Sequence, residues 1–132
     1  MSEENLEVVR RNMDAYNARD AAGYVAGLSE SIRFRSRFSA LDRGIYEGHA
    51  DMRRYLAELD EVWSRYEMQV ERMVASGTQV AALCHLYAVG RDSDLQLEEY
   101  PGVVYTLDAG KIVVIDFYGS HAETLVAMGL DG

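Results

Sequence analysis

Apolar side chains recur at helical spacing in three parts of the chain. Between residues 3 and 19 they lie three or four positions apart, at Leu6, Val9, Met13 and Tyr16. The same spacing returns from residue 49 to about residue 65, and a shorter stretch from Asp20, which can cap a helix, continues to about Leu28. Such spacing lays one apolar stripe along a helix, so the pattern predicts three helices that each bury one face.

Elsewhere the hydrophobic pattern alternates, which is typical of strands. Residues 31–38 place three arginines on one face and Ile32, Phe34, Ser36 and Phe38 on the other. A short strand is predicted at residues 44–48, and longer ones at 66–75, 79–89 and 95–107. Proline cannot donate a hydrogen bond to a sheet, so we expect Pro101-Gly102 to interrupt the last of these.

The end of the chain carries the clearest local signal. Two runs of β-branched and aromatic residues, 103–107 and 111–118, flank Asp108-Ala109-Gly110, which predicts a hairpin. Ser120 can then cap a short helix at residues 121–128, which Gly129 would end.

The order of these elements predicts an α+β fold with one domain over residues 1–132. We expect a cone shape, in which a strongly bent, mainly antiparallel sheet carries three helices over its concave face and a short C-terminal helix follows. The hollow between helices and sheet is where a small molecule would bind.

Composition narrows the possible partners. Twenty-two acidic and 13 basic residues give a formal charge of −9, which disfavours nucleic acid and anionic membranes as partners. The chain shows neither a signal peptide nor a membrane-spanning run, and its single cysteine, Cys84, excludes an internal disulfide. We therefore expect a cytoplasmic protein.

Several short segments carry a family resemblance when they are taken in order. They are Val9-Arg10-Arg11, residues 15–20, Tyr46-Glu47-Gly48-His49, residues 108–112, Ala122-Glu123-Thr124-Leu125 and Gly129-Leu130. In these the chain resembles the SnoaL-like branch of the nuclear transport factor 2-like superfamily, which includes ketosteroid isomerases, polyketide cyclases and limonene epoxide hydrolase. The resemblance implies the cone-shaped fold, but one fold carries many functions.

The resemblance does not supply a known set of catalytic residues. The positions that match the base and the two oxyanion donors of ketosteroid isomerase are Ser36, Asn12 and Val103. Phe117 stands where limonene epoxide hydrolase has an aspartate in the last strand. Asp116, the carboxylate nearest to the polyketide cyclase position, is expected on the opposite face from Phe117.

The alternation of side chains along the strands and their spacing along the helices predict which residues line the hollow. The sheet should contribute Ser36, Phe38, Cys84, Val103, Tyr105 and Phe117, and the helices should contribute Asn12, Tyr16 and Trp63, with Tyr46 and Tyr55 as further aromatic walls. Each of these also has a simpler interpretation. The aromatics can be plain core, Ser36 can bond to backbone, and Cys84 can be an inert buried thiol.

Two functions remain open. The first is a binding protein for a hydrophobic, ring-containing molecule of steroid, terpenoid or polyketide type; the alternative is a small enzyme that isomerises, cyclises or hydrolyses such a molecule. His49 and His121 could act as acid or base, but the three histidines lack metal-ligand spacing, so we expect no metal and no cofactor. Uncharged side chains at Val104, Thr106 and Tyr87 predict a homodimer through the outer face of the sheet.

Overall fold

The computed structural model describes residues 2–36 and 45–130, which form four helices and seven strands. The helices are α1 (Ser2–Ala18), α2 (Ala21–Ala26), α3 (Gly48–Val62) and α4 (His121–Ala127). The strands are β1 (Leu28–Ser36), β2 (Ile45–Glu47), β3 (Trp63–Ser76), β4 (Gln79–Gly90), β5 (Gln96–Glu99), β6 (Gly102–Asp108) and β7 (Lys111–Tyr118). Among the described helices, none has the length and apolar character needed to cross a membrane.

The strands form one curled, open sheet in the order β2-β1-β7-β6-β4-β3, with β5 also paired to β4. Neighbouring strands are antiparallel except β1 and β7, which run parallel. The predicted α+β class with a mainly antiparallel sheet is therefore confirmed.

The second and third helices both end earlier than the sequence predicts, and the strands that follow them begin earlier. The second helix ends at Ala26, and Leu28 already begins β1. The third helix ends at Val62 instead of residue 65, because Trp63 pairs with Gly90 of β4 and begins β3. Placing Trp63 on a helix was therefore wrong.

The segment predicted as one strand at residues 95–107 is two strands along the same edge of β4. The break falls at Pro101, as expected from its missing N–H group. Its carbonyl oxygen still accepts a hydrogen bond from the Cys84 backbone at 2.9 Å, so β5 and β6 stay aligned on β4.

The hairpin and the final helix form as the sequence predicts. Ala109 and Gly110 both adopt positive φ, at 51° and 80°, in the turn between β6 and β7. The Ser120 side chain caps α4 by accepting a hydrogen bond from the Glu123 backbone, and Gly129 follows the helix with φ at 74°.

The two faces of the sheet are buried in different ways. The inner face and the first three helices enclose the main hydrophobic core, to which β6 contributes Val103, Tyr105 and Leu107. The α4 helix packs on the outer face, against β4, β6 and β7. Gly102 leaves no room for a Cβ atom beside Thr124, so glycine at this position lets α4 approach the sheet closely.

Candidate functional site

Three tyrosine hydroxyls meet in the interior of the cone. Tyr16 of α1 lies 2.8 Å from the hydroxyl of Tyr55 on α3, and it donates a hydrogen bond of 3.0 Å to the hydroxyl of Tyr66 on β3. We call these three residues the tyrosine triad. Two hydrogen bonds use two of the three hydroxyl protons, so the triad can donate one more to an oxygen atom.

A small cavity adjoins the triad. Its walls come from three helical residues and three strand residues, namely Met13, Tyr16, Tyr24, Tyr105, Ile115 and Phe117. Its volume is about 10 Å³, which is at the lower limit for one water molecule. The predicted hollow is thus almost filled by side chains in the described part of the chain.

Burial keeps the interior phenols neutral. Removal from water disfavours a phenolate and raises the pKa of the five tyrosines that line the cavity or belong to the triad: Tyr16, Tyr24, Tyr55, Tyr66 and Tyr105. Every one of these hydroxyls therefore carries its proton at physiological pH and can act as a hydrogen-bond donor.

Two of these tyrosines have hydroxyls without a hydrogen-bond partner among the described residues. Tyr24 and Tyr105 are each 3% exposed and line the cavity, but neither hydroxyl bonds to another described residue. Buried hydroxyls normally find a partner in the protein or in ordered water. The cavity is therefore bordered by donors that a guest molecule could satisfy.

The structure brings most of the predicted site residues to this interior. Tyr16, Tyr55, Trp63, Cys84, Val103, Tyr105 and Phe117 all belong to the main core. Tyr46 is in the core too, and its hydroxyl donates to Glu58 at 2.7 Å. Phe38 and the side chain of Ser36 lie outside the described residues.

Two predicted residues have structural partners. Asn12 is buried, and its amide nitrogen donates to the Tyr24 carbonyl at 2.9 Å, which ties α1 to α2. The thiol of Cys84 lies against the Ala82 carbonyl, and burial raises the pKa of that thiol to about 12. A thiol that stays protonated is a poor nucleophile, which favours the inert interpretation.

The described ionisable groups that could act as acid or base lie elsewhere. Asp116 is on the outer face, where Arg35 binds both of its carboxylate oxygens at 2.9 and 3.3 Å. His49 and His121 each bond to a backbone carbonyl, of Leu28 and Cys84. Among the described residues no three metal-ligating side chains cluster.

A surface groove of about 790 Å³ runs between α1 and β3. Met13 and Tyr66 line this groove. Met13 also lines the interior cavity, and the Tyr66 hydroxyl belongs to the triad. The side chain of Met13 therefore stands between a groove of ligand size and the tyrosines inside.

The fold of this chain is shared with a known protein family. The model of the SnoaL-like domain matches residues 9–115, which include all of the cavity walls except Phe117. The chain belongs to the SnoaL-like family. No curated protein matches it.

Several solved structures share the fold of this SnoaL-like chain. An NTF2-like protein of unknown function from Burkholderia pseudomallei has a TM-score of 0.81 and 18% identity, covering 96% of this chain and 97% of that one. A putative SnoaL-like polyketide cyclase from a Jannaschia species has a TM-score of 0.76 and 20% identity over 89% and 86% of the two chains. TerC, co-crystallised with polyporic acid, has a TM-score of 0.79 and 16% identity over 96% and 95%. At these identities the likeness establishes the fold of this chain and not its ligand.

Sequence reasoning missed two residues of the SnoaL-like interior. Tyr24 lies in the stretch predicted as the second helix but was not assigned to the hollow, and Tyr66 was treated only as the start of a strand. The alternation of β3 is broken by irregular pairing between Trp63 and Arg65 and between Val70 and Arg72. The available signal for Tyr24 was that each of the two helices of the α1–α2 hairpin carries a buried aromatic residue, Tyr16 on α1 and Tyr24 on α2.

Proposed function

We propose that this protein binds a small, neutral, ring-containing hydrophobic molecule of steroid, terpenoid or polyketide type inside the cone, against the tyrosine triad. The observation that carries the proposal is one cavity lined by three buried tyrosines, of which Tyr16 is hydrogen-bonded to two more, Tyr55 and Tyr66. Small-molecule sites are typically apolar and aromatic, with a few polar groups that converge on the ligand. The triad supplies such groups among apolar walls.

The charge of the interior sets the charge of the ligand. Besides apolar and phenolic side chains, the described interior holds the buried amide of Asn12. The nearest cation, the guanidinium of Arg19 over the Tyr16 and Tyr66 rings, is already paired with Asp60. Moving an unpaired charge into such surroundings is costly, so a neutral molecule is favoured over a sugar phosphate or another charged metabolite.

A ligand larger than one water molecule must displace side chains. The core is suited to this because Met13, Met52 and Met68 are all buried in it, and methionine side chains repack readily. Met13 separates the outer groove from the cavity, so its movement would join the two and give the ligand a route inwards.

Two structures of the same fold support a binding role, because each holds a small molecule. TerC was co-crystallised with polyporic acid, and a protein of ketosteroid isomerase-like fold from Catenulispora acidiphila was solved in complex with trimethylamine. The binding role is favoured over acid–base catalysis because the described interior offers neither a carboxylate nor a histidine. Its tyrosines hold their protons too tightly to exchange them easily near neutral pH.

A thermal-shift screen against steroids, terpenoids and aromatic polyketides tests this proposal. A ligand at one hundred times its dissociation constant adds about 2.7 kcal/mol of apparent stability, which gives a clear rise in Tm. We expect Tyr16→Phe to reduce that rise, measured from the variant's own baseline. Tyr87→Phe removes the same group from an exposed outer-face position and should leave the rise unchanged.

Two results would contradict the proposal. One is the absence of any stabilising compound across the three classes. The other is a set of hits that respond equally to Tyr16→Phe and Tyr87→Phe, because their site would then lie outside the tyrosine triad.

A further inference from the structure

The indole N–H of Trp63 has no hydrogen-bond acceptor. Trp63 begins β3 and is 4% exposed, and its Nε1 is the one fully buried side-chain nitrogen or oxygen without a partner among the described residues. An indole nitrogen is a donor only, so this N–H cannot be satisfied by a neighbouring donor. An unpaired buried donor lowers stability, and in a native protein it calls for an explanation.

The position of Trp63 connects this donor to the tyrosine triad. The indole ring packs against the ring of Tyr66, with centroids 6.4 Å apart. The Tyr66 hydroxyl in turn accepts the hydrogen bond from Tyr16. Trp63 therefore lies one aromatic ring away from the hydroxyls on which the proposed ligand would rest.

The unpaired polar groups of this interior can all donate. Trp63 can only donate, and the hydroxyls of Tyr24 and Tyr105 have protons without a described acceptor, although a hydroxyl can also accept. The indole N–H is therefore the group that requires an acceptor. A molecule that complements it must bring oxygen lone pairs, which a cyclic ketone has and a hydrocarbon of the same shape has not.

We propose that Trp63 is a specificity-determining residue whose indole N–H binds a carbonyl oxygen of the ligand, so that the site selects ring ketones over ring hydrocarbons. This rests on the proposed function, since it concerns the same site. The oxygen of a ketone accepts a hydrogen bond from the indole N–H, which has no acceptor in the ligand-free protein. A hydrocarbon offers no acceptor, so the N–H stays unpaired after binding.

Fluorene and 9-fluorenone are suitable probes, because they share one planar ring system and differ by the carbonyl oxygen. We expect fluorenone to bind about tenfold more tightly by calorimetry, which is the size of one good hydrogen bond. The chain has one tryptophan. Its single indole N–H signal in a ¹H–¹⁵N spectrum should therefore move downfield with fluorenone and much less with fluorene.

The same single tryptophan allows a close control. In a tryptophan auxotroph, benzothienylalanine replaces the N–H with sulfur at this position and keeps the shape of the ring. We expect this protein to bind fluorene with unchanged affinity and to lose the tenfold preference for fluorenone. Trp63→Phe should also lose the preference, and Tyr87→Phe should keep it.

The outcomes separate this inference from the proposed function. Equal binding of the two probes by the native protein overturns the inference and leaves the proposed function intact. A fluorenone preference that survives benzothienylalanine also overturns it, because another group would then be the donor, or a buried water would satisfy Trp63. Absence of binding by both probes contradicts the proposed function and the inference together.

Discussion

Tyr16→Phe is the substitution that probes the tyrosine triad most directly. Tyr16 is the central member, and its hydroxyl takes part in both hydrogen bonds, at 2.8 Å to Tyr55 and 3.0 Å to Tyr66. Removing that oxygen deletes both bonds. At 0.5–1.5 kcal/mol for each neutral bond, we expect a loss of about 1–3 kcal/mol in the free energy of unfolding.

The interior supplies a matched control for this change. Tyr105→Phe removes the same atom from a tyrosine that is equally buried, at 3% exposed against 2% for Tyr16, but whose hydroxyl bonds to no described residue. We expect this variant to change the free energy of unfolding by less than about 0.5 kcal/mol. Tyr55→Phe and Tyr66→Phe each remove a terminal member and should cost about half as much as Tyr16→Phe.

Urea unfolding followed by circular dichroism measures all four variants. A shift in midpoint at constant slope reports a change in stability rather than in the extent of unfolding. Equal losses of unfolding free energy for Tyr16→Phe and Tyr105→Phe would refute a stabilising role of the triad. Its hydrogen bonds would then contribute no more than a buried hydroxyl without a partner.

Three further predictions follow from other parts of the fold. Burial raises the pKa of the Cys84 thiol to about 12, so iodoacetamide at pH 8 should modify it only as fast as the protein unfolds; rapid modification of the native protein would contradict this burial. Gly102→Ala places a methyl group against Thr124, and we expect it to cost about 1–3 kcal/mol of stability through displacement of α4, whereas an unchanged urea midpoint would show that α4 does not pack there. Tyr87, 41% exposed, and Thr106 are expected to lie in a homodimer interface on the outer face of the sheet, whereas Val104, also predicted there, is only 3% exposed and is not available to it. Light scattering at high micromolar concentration should give twice the 14.8 kDa chain mass, and a monomer mass would refute the dimer.

Local patterns predicted most of the fold. The spacing of apolar residues in α1 and the turn at residues 108–110 each depend on neighbours in sequence, and both form as expected. Trp63 is a residue for which the local pattern predicts the wrong element. It continues the helical spacing of Leu59 and Val62, but the chain pairs it with Gly90, which is 27 positions away and outside any local window.

The candidate site was only partly visible in the sequence. Alternation placed Cys84, Val103, Tyr105 and Phe117 correctly on the inner face. It could not place Tyr66, because irregular pairing at both ends of its segment in β3 breaks the alternation. The volume left inside the cone was also beyond sequence reasoning, since it depends on how side chains from four elements pack together.

Methionine methyl resonances give the most direct test of ligand binding inside the cone. Met13 lines both the cavity and the outer groove, whereas Met128 ends α4 on the outer side of the sheet. In a ¹³C-methyl-methionine sample titrated with a compound that stabilises the protein, we expect the Met13 signal to shift and saturate while the Met128 signal stays fixed. A Met128 shift with an unmoved Met13 would place the ligand outside the cone and contradict binding against the tyrosine triad.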